Sequence, residues 1–148
     1  MEMSYRSASP ERAARGYGHV HRSALVEGAS PHGLIRLLLD GAVASIGAAA
    51  TFDPEAPNDR AARHRAIDRA LGFVQELQGS LRDPDTDELS GRLFAVYGFV
   101  VGQLLESNVD GDAEKLRAAE EALRPIAEAW AAIGEEIDPV AGDARRAA

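Results

Sequence analysis

The chain has 148 residues, 45% of them apolar but only 5% aromatic, enough for one domain with a core of Ala, Leu, Val and Ile, a mixture that suits packed helices. A formal charge of −8 argues against general nucleic-acid binding and against adhesion to an anionic membrane. With no cysteine there are no disulfides, thiolate metal sites or cysteine catalysis, which fits a reducing cytosol.

Residues 1–28 read as a mobile N-terminal arm. Ser, Pro, Gly and the arginines Arg6, Arg12, Arg15 and Arg22 dominate it, and Tyr17, Val20, Leu25 and Val26 are too sparse for a helix. The arm lacks the apolar core of a signal peptide, and no stretch is expected to approach the roughly 20 apolar residues that span a bilayer. Ser30 then offers an N-cap hydroxyl, and Pro31 suits the first helical position. Leu34, Ile35, Leu38, Leu39, Ala42 and Ile46 recur at helical spacing, so the first helix runs to about Ala50. Asp40 and Gly41 both disfavour helix in its middle. The expectation is that Asp40 faces outward to pair with Arg36, and that Gly41 admits another backbone.

A loop through Pro54 and Pro57 leads to a second helix, capped by Asn58 or Asp59, that carries Ala66, Ile67, Ala70, Leu71, Val74, Leu77 and Leu81 along one side. Asp83-Pro84-Asp85 ends it, because the residue before proline is pushed out of the helical region. Thr86, Glu88 and Leu89 open a third helix lasting to about Asn108, and Asp110-Gly111-Asp112 makes a tight turn. In the fourth, Leu116, Ala119, Leu123, Ile126, Trp130, Ile133 and Ile137 form a bundle seam, within which Pro125 is expected to bend the helix without ending it. Residues 138–148 read as a disordered tail. The expected fold is all-α: an antiparallel up-down four-helix bundle over residues 29–137.

The third helix is more apolar than a bundle requires. No charge occurs between Arg92 and Glu106, and Leu93, Phe94, Ala95, Val96, Tyr97, Phe99, Val100, Val101, Leu104 and Leu105 cover most of its circumference. A bundle helix needs only about three positions in seven facing the core. Either the chain itself covers this helix on all sides, or part of its surface is a groove for a partner. Gly41, Gly47, Gly72, Gly79, Gly98 and Gly102, all within predicted helices, fit either close helix packing or a bundle whose grooves open for a ligand helix.

Candidates for chemistry are sparse. His19 and His21 have no third ligand nearby, His32 lies in the first helical turn, and His64 is expected on a solvated face between Arg63 and Arg65. Glu120-Glu121 and Glu135-Glu136 read as solvated faces, and neither a phosphate-binding loop nor a nucleophile elbow is present. The reading is a binding protein without cofactor or metal rather than an enzyme.

The chain resembles the flagellin-specific export chaperones of the FliS family. The residues that carry the likeness are Tyr17, Ala29-Ser30-Pro31, Leu34-Ile35, Asp40-Gly41-Ala42, Val96-Tyr97, Leu104-Leu105, Asn108, Asp112 and Ala129-Trp130, in family order from Tyr17 to Ile133. Where the family has an acidic residue after the helix-three tyrosine and basic residues before the paired leucines, this chain has Gly98, Gly102 and Gln103.

The resemblance implies a bacterial cytosolic chaperone that binds the disordered C-terminal segment of flagellin, blocks premature polymerisation and presents it to the flagellar type III export gate. An anti-sigma factor is a possible second partner, with no nucleic acid and no membrane insertion. It also implies an arm around Tyr17 that covers part of an empty groove. Residues expected to serve core and groove together are Tyr17, Leu34, Leu38, Ile67, Leu71, Val74, Tyr97, Val101, Leu104 and Trp130. Two alternatives stand beside this: a helical adaptor for another secreted or regulatory client, and a histidine-phosphotransfer bundle using His64 or His32.

Overall fold

The computed structural model describes residues 30–137, so the arm and the tail, with Tyr17, His19 and His21, lie outside the described residues. Four helices follow one another: α1 (Pro31–Ala50), α2 (Pro57–Gly79), α3 (Glu88–Asp110) and α4 (Ala113–Ile137). Both α2 and α4 pack on α1, and both pack on α3, which leaves α1 and α3 on one diagonal of the bundle and α2 and α4 on the other. This is the expected four-helix arrangement.

Helix α1 begins as its sequence dictates, with Ser30 Oγ accepting from Gly33 N at 3.0 Å and Pro31 in the first turn. Arg36 Nε lies 3.5 Å from the exposed Asp40 carboxylate, the i,i+4 pair expected. Gly41, in contrast, admits a ring rather than a backbone: an added Cβ would lie 2.9 Å from Phe73 Cζ. With 20 residues and high mean hydropathy, α1 does reach the length and apolarity of a bilayer span, contrary to the sequence expectation. Its apolarity is explained by the bundle, where Leu38, Leu39, Ala42, Ile46 and Ala49 are buried.

Helix α2 starts earlier than its polar residues suggest. Ala56 is the N-cap without a side-chain bond, Pro57 opens the first turn, and Asp59 Oδ2 accepts from Asp53 N at 3.0 Å across the loop. The helix also stops at Gly79, before Asp83-Pro84, so Leu81 packs against the core from the connecting loop. Asp83 takes a positive φ of 50°, a left-handed position that Asp tolerates better than most residues. Asp87, not Thr86, caps α3 by accepting from Ser90 N at 2.8 Å.

At its far end α3 reaches Asp110 and closes on Gly111, whose φ of 72° is the left-handed C-terminal cap that favours glycine. Lys115 on α4 pairs with Asp110 and lies 3.9 Å from Glu106, tying the turn together. Its hydrogen bond holds the Asp110 carboxyl below the usual range and raises Lys115 in return. Helix α4 runs unbroken through Pro125, and Leu116, Ala119, Leu123 and Ala127 face the core.

Two glycines of α1 should respond oppositely to alanine. Gly47 has nothing within 4 Å of an added Cβ, and Gly47→Ala is expected to raise stability by about 0.5–1 kcal/mol in urea denaturation. At Gly41 the Phe73 ring must give way, so Gly41→Ala is expected to lower it by about 1 kcal/mol.

Candidate functional site

The bundle buries a narrow stripe of α3. Tyr97, Val100, Leu104 and Ser107, spaced by three and four residues, face the core, and desolvation there raises the Tyr97 hydroxyl above its ordinary pKa. With α1 across the diagonal and α2 and α4 on the flanks, the outward side of α3 has no element of the described residues on it.

That outward side is apolar. Phe94 is 46% exposed, Phe99 48%, Leu105 50% and Val109 90%, with Ala95 and Gly98 between them also exposed. The spacing Phe94, Gly98, Leu105, Val109 places all four on one line along the helix, with Phe99 beside it. The stripe carries no charge between Arg92 and Glu106. A large uncharged apolar strip on one face of a small domain marks an interaction surface.

A second, shallower groove lies between α1 and α4. Its floor is Val43, Ala44, Ala127 and Ala131, its rim Asp40, Arg124 and Glu128, and its volume about 300 Å³. At one end of these two helices the His32 ring stacks on Trp130, with centroids 4.5 Å apart and an 8° interplanar angle. Trp130 Nε1 donates to the His32 carbonyl at 3.0 Å, and His32 Nε2 donates to the Trp130 carbonyl at 2.9 Å. Gly134 makes room for this clamp, since a Cβ there would lie 2.7 Å from His32 Nε2. His32 therefore has a structural partner.

At the other end, Arg63 is buried, not on a solvated face as its neighbours suggest. Its guanidinium donates to the Ser107 carbonyl at 3.0 Å and to Ser107 Oγ at 2.7 Å, and Ser107 Oγ donates in turn to the Asp112 carbonyl at 2.8 Å. A cation at the C-terminal end of α3 gives the Ser107 carbonyl a second donor beside Gly111 N and faces the favourable end of the helix dipole. His64, half-buried beside it, bonds through Nδ1 to Asn108 Oδ1. Arg63, His64 and Asn108 border a cavity of about 290 Å³ whose other walls are Pro54, Glu55 and Arg60 on one side and Val109, Asp110 and Gly111 on the other.

The residues expected to serve core and groove divide as follows. Leu38, Ile67, Leu71, Val74, Tyr97 and Leu104 are buried core, Leu34, Val101 and Trp130 are half-buried, and Tyr17 lies outside the described residues. The exposed large apolar side chains of α3, Leu89 in its first turn and Phe94, Phe99, Leu105 and Val109 along its outward side, are absent from that set. A signal for them existed: once the three-four ladder Tyr97, Val100, Leu104, Ser107 is assigned to the core, Phe94, Phe99, Leu105 and Val109 fall off that face.

The model of the family described as Flagellar protein FliS matches residues 13–137. The chain belongs to the FliS family. Its relatives include the flagellar secretion chaperone FliS of Salmonella typhimurium, 31% identical over 120 residues that cover 80% of this chain and 87% of the relative. The FliS of Escherichia coli is 27% identical over the same shares, and the flagellar secretion chaperone FliSB of Pseudomonas aeruginosa is 27% identical over 82% of this chain and 95% of its own length. The FliS family is one of flagellar secretion chaperones, and the present chain is a flagellar secretion chaperone of helical-bundle fold.

The Arg63–Ser107 link gives a test of the scaffold behind this surface. Arg63→Met removes two buried, charge-assisted hydrogen bonds, one to the Ser107 carbonyl, which keeps Gly111 N as a donor, and one to Ser107 Oγ, and stability is expected to fall by about 1–3 kcal/mol in urea denaturation. Arg65→Met, at an exposed neighbouring position, is expected to change it by less than about 0.5 kcal/mol.

Proposed function

We propose that the outward face of α3 holds the C-terminal segment of flagellin in the bacterial cytosol, keeps it from polymerising and hands it to the flagellar type III export gate. The observation that carries this reading is the exposed apolar strip Phe94–Gly98–Leu105, uncharged between Arg92 and Glu106, with Phe99 beside it and Val109 continuing it beyond Glu106. A segment that assembles by burying amphipathic helices against its neighbours is blocked when a substitute apolar surface takes that face. Ordering such a segment costs about 2–5 kcal/mol or more, so the contact must be long and apolar to leave useful affinity. The role is that of a non-catalytic binder, with no cofactor or metal in the mechanism. The groove between α1 and α4, with its small-residue floor, is where a long segment would continue around the bundle.

Calorimetric titration of the full chain with the C-terminal and, separately, the N-terminal segment of its own organism's flagellin tests this. One-to-one binding of the C-terminal segment alone, with a large negative heat-capacity change, is the expected result. Leu105→Glu, at a half-exposed position, is expected to weaken that binding by about tenfold or more while the urea midpoint moves little. Deleting residues 1–20 is expected to change the affinity. Absence of binding to the C-terminal segment would overturn the proposal.

A further inference from the structure

The strip on α3 ends at a cavity, and α2 forms one bank of the path that leads there. Gln78 Nε2 on α2 donates to the Phe94 carbonyl at 3.2 Å near the start of the strip, and His64 Nδ1 donates to Asn108 Oδ1 near its end. Val109 belongs both to the strip and to the cavity wall, so the apolar path opens into the space of about 290 Å³ beside Arg60, Arg63 and His64. We propose, on the client reading above, that this cavity takes the free α-carboxylate at the end of the client's C-terminal segment, with the Arg60 guanidinium as its counter-ion.

The shape of the path calls for a chain end. From Phe94 to Val109 the strip advances about 22 Å at 1.5 Å per residue. Just beyond Val109 the path is shut. Gly111, the left-handed cap of α3 with a φ of 72°, packs against the loop between α1 and α2, where an added Cβ would lie 3.1 Å from Pro54 Cβ. A segment lying along the strip therefore meets a wall at this end. The cavity before the wall holds the volume of about ten water molecules, room for a terminus rather than for a chain passing through. What a C-terminus adds to the chain interior is one negative charge.

The lining suits that charge although the whole chain carries −8. Two guanidinium groups, those of Arg60 and Arg63, border the cavity with two carboxylates, those of Glu55 and Asp110. Asp110 is already engaged, since it pairs with Lys115 and accepts from Asp112 N at 2.9 Å. Arg63 is buried and held by Ser107, so it contributes a fixed positive charge. Arg60 is different. It is exposed, and among the described residues it pairs with no carboxylate, whereas Arg36, Arg92, Arg117 and Arg124 each hold one. Its planar fork is open to a two-bond contact with an incoming carboxylate, strengthened by the Arg63 charge behind it.

Calorimetric titration of the full chain with the C-terminal flagellin segment of its own organism tests the proposal, the segment being prepared as the free acid, as the C-terminal amide, and as the free acid lengthened by two glycines. The free acid of natural length is expected to bind about tenfold more tightly than either of the others. Arg60→Gln is expected to weaken the free acid about tenfold and to leave the amide unchanged, a coupling that a general loss of affinity does not produce. Arg60 is exposed, so this variant is expected to keep the parent's urea midpoint. Acid, amide and lengthened forms that bind alike, or an Arg60→Gln variant that weakens acid and amide equally, would overturn the carboxylate pocket and leave the client reading standing. A segment that binds in none of its forms would overturn the client reading and the pocket with it.

Discussion

A four-helix bundle can cover only the inward side of each of its helices, and the structure depends on how α3 meets that limit. Tyr97, Val100 and Leu104 already complete its share of the core, with the Ser107 hydroxyl and Arg63 closing the lower end. Leu93 and Val101 pack against the edges of that core, and the large apolar residues beyond them face outward, because among the described residues the neighbours of α3 are α2 and α4 and neither reaches around. Phe94, Phe99, Leu105 and Val109 are that surplus. Leaving about four large side chains half in water forgoes roughly 25 cal/mol for each Å² of apolar surface, a cost that a partner on this face would remove.

The rest of the fold keeps this surface rigid. Two clamps hold the bundle at opposite ends. The His32–Trp130 stack with its reciprocal hydrogen bonds joins α1 to α4, and Arg63 joins α2 to the end of α3 and the turn beyond it. Lys115 adds an ionic link across the same turn through Asp110 and Glu106. Preorganised in this way, α3 presents its strip without having to order itself on binding, which lowers the entropic cost of capture to that of the client alone.

Much of this was legible in the residues. Apolar periodicity locates all four helices, since each buries one stripe and the stripes repeat at three and four; the Ser30-Pro31 start and the Arg36–Asp40 pair follow from local chemistry alone. The excess apolarity of α3 is visible as a run without charge. The division between core and surface was not legible, because Leu104 and Leu105 are alike in chemistry and differ only in which way the helix turns them. Nor could Arg63 be placed: its neighbours Arg65 and Arg60 are exposed, and only the C-terminal end of α3, 44 residues away, makes burial favourable. The boundaries of α2 shifted for a similar reason, as Pro57 supplied the helix start that Asn58 or Asp59 would otherwise have made.

The most direct test of the central claim is site-specific photocrosslinking of the client. A photoreactive residue at Leu105, on the exposed strip, should capture the C-terminal flagellin segment, and the same residue at Glu121, on the solvated side of α4, should not. Crosslinks at Glu121 with none at Leu105 would contradict the account, because the client would then be held on a face other than the outward side of α3.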